Sequence, residues 1–196
     1  MSTDKLNRRA TVARLLRDRG DALVITGLGN ASFDAMAAGD TPANFYLWGG
    51  MGGAVMVGLG VALAQPKRRV LVITGDGEML MGLGALATIA VEKPANLSIV
   101  VLDNEYYAET GMQVTHTGRG VDLVGIARAA GFEHTQRVNT AAELEVLAVA
   151  AYRAPGPLFG LVKISTEPNP TSLPPRDGPY LRGRFREALL GAEAHR

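Results

Sequence analysis

Short runs of β-branched and aliphatic residues alternate along the chain with longer stretches of helical character. Ala22–Thr26, Val70–Thr74, Ser98–Leu102 and Leu158–Ile164 have strand length, and the second and third read as buried parallel strands. Between them, residues 4–19 predict an amphipathic, Arg-rich helix. Ala54–Ala64 predicts a small-residue helix whose lack of bulk permits close packing on a sheet, and residues 79–92 a helix closed by Pro94. Val121–Ala130 reads as helical and ends at Gly131, while Glu133–Val138 reads as an edge strand. Thr140-Ala141-Ala142-Glu143 is a capping box that opens a helix to Tyr152. Asp103–Gly120 is left as a long polar loop, and such loops in compact domains are usually functional or mobile. From Glu167 onward five prolines precede a short basic helix, which reads as an arm packing on a neighbour. Strands alternating with helices predict an α/β fold, a doubly wound, mainly parallel sheet with helices on both faces. The length of 196 residues suits a single domain over 1–196, with 167–196 as its Pro-rich C-terminal arm.

Composition narrows the possibilities mainly by exclusion. Cysteine is absent, which removes disulfides, thiolate catalysis and cysteine metal sites. The formal charge of +1 argues for neither nucleic acid nor an anionic membrane as a partner. No apolar stretch approaches the roughly 18 residues of a membrane span. Met1-Ser2-Thr3-Asp4-Lys5 runs into polar, basic sequence without a signal-peptide core, so a cytoplasmic location is the default expectation. Glycine is the outlier: 13 of the 24 lie between Gly27 and Gly84, marking places where the backbone turns tightly or approaches a ligand.

The chemistry gathers at the ends of the predicted strands. Gly75-Asp76-Gly77 follows one buried strand, and Asp103-Asn104 follows the next after 25 intervening residues. Parallel strands carry both motifs to the same sheet edge. Oxygen donors beside a glycine turn suit a hard divalent cation that bridges to a diphosphate. Gly27-Leu28-Gly29-Asn30 and Gly49-Gly50-Met51-Gly52-Gly53 each precede a helix and can aim backbone N–H groups at an anion. Glycine turns after strands are common in α/β folds, so neither loop is specific alone. Combined with Asp76 and Asn104, they describe one ligand with phosphates and a metal.

These residues resemble the thiamine diphosphate (ThDP) enzymes, whose diphosphate-binding domain carries Gly-Asp-Gly and, some 25 residues later, a pair usually written Asn-Asn. Here the pair is Asp103-Asn104, which departs at its first member only. Phe45-Tyr46-Leu47-Trp48-Gly49-Gly50-Met51-Gly52, Gly82–Ala90 and Thr110-Gly111-Met112-Gln113 are similar to segments of sulfopyruvate and phosphonopyruvate decarboxylases. The resemblance covers about residues 20 to 165. It implies a cofactor site of Gly29, Asn30, Gly50, Met51, Gly75, Asp76, Gly77, Glu78, Asn104, Tyr106, Tyr107 and Thr110. Mg²⁺ would be held by the side chains of Asp76 and Asn104 and by the carbonyl of Tyr106. Met51 would wedge under the bent cofactor; its plainer reading is a core methionine. Glu78 would lie near the diphosphate through its backbone, with the side chain turned away. Glu105 and Glu109 read as solvated loop charges. His116 borders the expected reaction centre, where an imidazole could bind an acidic substrate or relay a proton; the alternative is a surface histidine.

In the family a glutamate on a separate pyrimidine-binding domain completes the site, and 196 residues leave no room for that domain. The resemblance therefore implies the β subunit of a two-subunit 2-oxo acid decarboxylase, a carboxy-lyase releasing CO₂ and an aldehyde. It would be active only with an α subunit that carries the glutamate, in an α₂β₂ or larger assembly. Phe45, Tyr46, Trp48 and the C-terminal arm are candidate contact surfaces, with burial inside the subunit as the alternative for the aromatics. Two rivals stay open: an acetolactate-synthase-like carboligase subunit, and a non-catalytic module that binds ThDP or another diphosphate.

Overall fold

A computed structural model describes residues 5–195; the expectations placed on Met1–Asp4 lie outside the described residues. Six strands form one parallel sheet in the order β2-β1-β3-β4-β8-β7. These are β1 (Leu23–Thr26), β2 (Asn44–Tyr46), β3 (Val70–Gly75), β4 (Leu97–Asp103), β7 (His134–Val138) and β8 (Leu158–Lys163). The pleat sends alternate residues of each strand to opposite faces. Along β3, Val70 and Val72 join the core under α3 (Ala54–Ala64), α5 (Ala85–Glu92) and α6 (Leu123–Ala130). Leu71 and Ile73 join the second core under α1 (Arg8–Arg17), α2 (Asn30–Ala37) and α7 (Ala141–Arg153). Burial on both faces explains why β3 and β4 read as unbroken apolar runs. The fit of α3 to the sheet depends on its small residues: a Cβ at Gly58 would lie 2.2 Å from a methyl of Val72.

The edge strand β7, the capping box of α7 and the glycine stop of α6 all stand where the sequence placed them. Three expectations change. The helix expected over 79–92 is two, α4 (Asp76–Met81) and α5, separated at Gly82–Gly84. There the backbone of Gly82 presses on the carbonyl of Gly52, which would stand 2.2 Å from a Cβ at Gly82. The loop expected over 103–120 is folded, with β5 (Tyr106–Tyr107) paired antiparallel to β6 (Gln113–Val114) and a 3₁₀ turn at Thr117–Arg119.

The third change concerns the C-terminal arm, which folds back on its own chain. Helix α8 (Gly178–Leu190) lies against β2, with Phe185 and Phe45 rings 5.3 Å apart. Arg184 grips the Asp40 carboxylate with two parallel bonds of 2.7 and 2.8 Å. Trp48 donates its indole N–H to the Pro175 carbonyl at 2.9 Å and lies under the Arg176 guanidinium. Tyr46 is buried. The three aromatics are thus engaged inside the chain.

Candidate functional site

The order of the sheet reverses between β1 and β3: β2 lies outside β1, while β4, β8 and β7 extend beyond β3. Such a switch point leaves a crevice outside the carboxyl ends of the strands. A cavity of about 290 Å³ lies in this region. Its wall is built from the turn after β1 (Leu28, Asn30), the β3–α4 junction (Gly75 to Glu78), the end of β4 (Asn104) and the β5 hairpin (Tyr106 to Thr110), with Met51 and Arg8.

Ten of the twelve expected cofactor residues line this cavity: Asn30, Met51, Gly75, Asp76, Gly77, Glu78, Asn104, Tyr106, Tyr107 and Thr110. Gly29 and Gly50 are not among the lining residues, although Gly29 opens α2 at φ 79°. His116 is exposed and lies outside the lining set. It opens the 3₁₀ turn between two buried threonines whose hydroxyls are bonded to each other.

Asp76 is the best-supported donor. Its side chain is buried; its Oδ2 accepts a hydrogen bond from the Thr115 hydroxyl at 2.5 Å, and the Thr117 hydroxyl lies 3.1 Å from the same oxygen. Burial pushes its carboxyl up to about 6; the Thr115 bond opposes this, while the neighbouring Asp103 charge adds to it. Asn104 is buried at the end of β4, and its Oδ1 accepts the Tyr106 N–H at 2.9 Å. That short turn requires φ 72° at Glu105 and brings the Tyr106 segment back towards Asp76. Gly77 is needed for space: a Cβ there would lie 2.3 Å from the Tyr107 ring.

Asp103 does not point into the cavity wall. Its Oδ2 pairs with Lys163 Nζ at 2.9 Å, and its Oδ1 accepts from Thr117 at 2.8 Å and from the Glu105 N–H at 3.1 Å. Glu105 is not a free loop charge, since it pairs with Lys163 at 2.5 Å and Lys5 at 2.7 Å. Burial would raise its carboxyl, but these two hydrogen bonds outweigh burial and hold it below the usual range. Glu109 is exposed as expected, yet it lines the cavity and its carboxylate overhangs Gly29.

Glu78 does turn away from open space, but into the protein rather than solvent. It is buried beneath Gly27, and its Oε2 accepts from the Thr74 hydroxyl at 2.7 Å. Burial raises its carboxyl above the ordinary range, against the Thr74 bond and the field of the Ala54 and Gly52 amides.

Thr115, Thr117, Lys163 and Arg8 were not singled out from the sequence. No strand period marks Thr115 and Thr117, because the chain turns into a 3₁₀ helix between them. Arg8 is the one basic side chain among the lining residues and is paired with the fully buried Asp34. Arg9 holds the other Asp34 oxygen at 2.8 Å.

Among the described residues, no three His, Cys, Asp or Glu side chains converge to hold a metal. A cation at this cavity would therefore depend on a mixed oxygen set: one carboxylate (Asp76), one amide (Asn104), backbone carbonyls, and oxygens brought by a ligand. The residues present fit that description, since neither threonine hydroxyl occupies Asp76 Oδ1. The α4 N-terminus adds backbone N–H groups beside Asp76.

Residues 27–160 match the family described as "Thiamine pyrophosphate enzyme, C-terminal TPP binding domain". The sulfopyruvate decarboxylase subunit beta of Methanothermobacter thermautotrophicus is 45% identical over 127 residues, covering 65% of this chain and 68% of the relative. Sulfopyruvate decarboxylase of Methanosarcina acetivorans is 35% identical over 93% of this chain, and phosphonopyruvate decarboxylase of Streptomyces viridochromogenes 38% identical over 85%. The chain spans only 47% and 41% of those two proteins. A ThDP-dependent 4-hydroxybenzoylformate decarboxylase of Rhodococcus jostii shares the fold, with a TM-score of 0.70, 23% identity, and coverage of 83% of this chain and 33% of that one. The chain belongs to the thiamine pyrophosphate enzyme family and carries its C-terminal TPP binding domain.

Proposed function

We propose that this chain is the ThDP- and Mg²⁺-binding β subunit of a two-subunit 2-oxo acid decarboxylase of the sulfopyruvate or phosphonopyruvate type. The observation that carries the proposal is the cavity at the switch point that Asp76, Asn104, Tyr106 and Met51 line together. Asp76 and Asn104 side chains, with the Tyr106 carbonyl, would hold Mg²⁺ against the diphosphate. The backbone of Gly75 to Glu78 at the start of α4 would receive the phosphates. Met51 is 40% exposed and lines the cavity, which supports a wedge under the cofactor over a core methionine. The cofactor supplies an electron sink for loss of CO₂ when bound, while the protein binds and orients it.

A partner chain is part of the proposal. Relatives occur both as a named beta subunit and as chains about twice as long. Helix α3 is apolar along its length and leaves Met56 and Leu63 exposed, while Met81 and Val91 are exposed on α4 and α5. A pyrimidine-binding α subunit would cover such apolar surface and bring the catalytic glutamate, in an α₂β₂ or larger assembly. Among the described residues no helix is long and apolar enough to cross a membrane.

The test is to purify this chain with the product of a neighbouring reading frame that encodes a pyrimidine domain. The pair is mixed with ThDP, Mg²⁺ and a panel of 2-oxo acids, including 3-sulfo and 3-phosphono pyruvates. CO₂ and one aldehyde, dependent on both chains, are expected. Acyloin in place of aldehyde would favour the carboligase; no turnover of any acid would refute the decarboxylase reading.

A further inference from the structure

The departure of Asp103 from asparagine is tied to a buried chain of contacts that ends on Asp76. Lys163 Nζ donates to Asp103 Oδ2 at 2.9 Å, and the Thr117 hydroxyl lies 2.8 Å from Asp103 Oδ1. Thr117 in turn lies 2.9 Å from the Thr115 hydroxyl, which sits 2.5 Å from Asp76 Oδ2. Asp76, Asp103, Thr115 and Thr117 are all buried. Each hydroxyl has one proton. By the shorter contact of each, Thr115 gives its proton to Asp76 and Thr117 gives its proton to Asp103. The longer contact from Thr117 to Asp76, 3.1 Å, is then an alternative that Thr117 can take only by releasing Asp103.

Geometry makes this arrangement directional. The Thr115 hydroxyl donates to Oδ2 of Asp76 and the Thr117 hydroxyl stands 3.1 Å from the same oxygen, so both threonines hold that edge of the carboxylate and neither contacts Oδ1. Thr115 is itself held by its N–H on the Glu105 carbonyl at 2.9 Å, in the segment that Lys5 and Lys163 clamp through the Glu105 side chain. The β6–3₁₀ segment is thus fastened at its backbone by Glu105 and at its side chains by Asp103. We infer that Thr115 and Thr117 are positioning residues for the cation at Asp76, anchored through Asp103 by Lys163. They orient the carboxylate before metal arrives, so binding need not order it.

This inference rests on the metal–diphosphate reading of the cavity, and the test separates the two. Mn²⁺ retained by the full chain in the presence of ThDP is measured by equilibrium dialysis or by electron paramagnetic resonance of free Mn²⁺. Partners that orient metal ligands are typically worth about 10- to 100-fold in affinity. Thr115→Val is expected to weaken Mn²⁺ retention by about 10-fold or more on that scale. Thr115→Ser, which keeps the hydroxyl, is expected to stay within about 3-fold of the parent, a rescue that a purely packing role for Thr115 would not produce. Thr117→Val, measured the same way, is expected to weaken retention by roughly 5-fold, and it carries the test if Thr115→Val does not fold. Unchanged Mn²⁺ affinity in the folded valine variants, or equal losses in Thr115→Ser and Thr115→Val, would overturn the positioning role. A parent chain that retains no Mn²⁺ with ThDP would instead overturn the site reading beneath it.

Discussion

Replacing Phe185 with alanine probes the join between the C-terminal arm and the strand that leads to Met51. Phe185 is 6% exposed and belongs to the core under α3, with its ring 5.3 Å from that of Phe45 in β2. Phe→Ala in a core costs about 3–5 kcal/mol, from lost transfer free energy and the cavity left behind. Because α8 lies at the surface and can settle inwards, a loss of about 3 kcal/mol is expected, the lower end of that range. At a urea m-value of about 2 kcal/mol/M, this moves the midpoint down by roughly 1.5 M. The chain has a single tryptophan, Trp48, whose indole is bonded to Pro175 in the arm. Its fluorescence therefore reports arm docking, while far-UV circular dichroism reports the whole sheet and helices. In Phe185→Ala the fluorescence transition is expected to precede the dichroism transition. Coincident transitions with an unchanged midpoint would refute the packing assigned to α8. A midpoint that rises with protein concentration would show that α8 is donated by a second copy.

Gly52→Ala tests the contact that splits the helix after the Gly-Asp-Gly motif. Gly52 has φ 87°, and a Cβ there would lie 2.9 Å from the Gly82 N, so a stability loss of about 1–3 kcal/mol is expected by urea titration. The same variant displaces the loop bearing Met51, and ThDP affinity in the presence of Mg²⁺ is expected to fall about 10-fold or more, which is about 1.4 kcal/mol. Unaltered affinity would detach Met51 from the cofactor. For Asp40, burial would raise the carboxyl, but hydrogen bonds from Arg184 and Tyr46 outweigh burial and hold it below its ordinary value. A depressed folded value contributes stability above the unfolded pKa of about 3.9 and loses it as pH falls through the folded value. Asp40→Asn is therefore expected to lower the midpoint at pH 7, with the gap from the parent closing below about pH 4. A gap that persists to pH 2 would contradict the pairing.

The sheet was legible because its central strands are buried on both faces and so spell themselves as continuous apolar runs, as β3 and β4 do. The Asp76–Asn104 pair was legible because parallel strands bring their carboxyl ends to one edge whatever lies between them in sequence. The short strand β2 and the hairpin β5–β6 were not resolved as elements. Two- and three-residue strands carry too few positions to show alternation, and the hairpin follows from the turn that Asp103 and Asn104 hold at Glu105. The break at Gly82 depends on Gly52, some thirty residues away, and no local pattern encodes such a contact. The docking of the arm on its own chain was not legible because proline-rich sequence shows only that the segment is extended. Phe185 and Arg184 decide where it docks, through Phe45 and Asp40. His116 was attractive for its chemistry, but the two threonines beside it hold the inward face.

The central claim is that this chain holds the metal–diphosphate end of ThDP through Asp76. Its most direct test is retention of Mn²⁺ by the chain at fixed metal and increasing ThDP, for the parent and for Asp76→Ala. The account predicts saturable retention that appears only with ThDP and disappears in the variant, while both proteins give the same circular dichroism spectrum. Equal retention by the folded variant, or retention independent of ThDP, would contradict it.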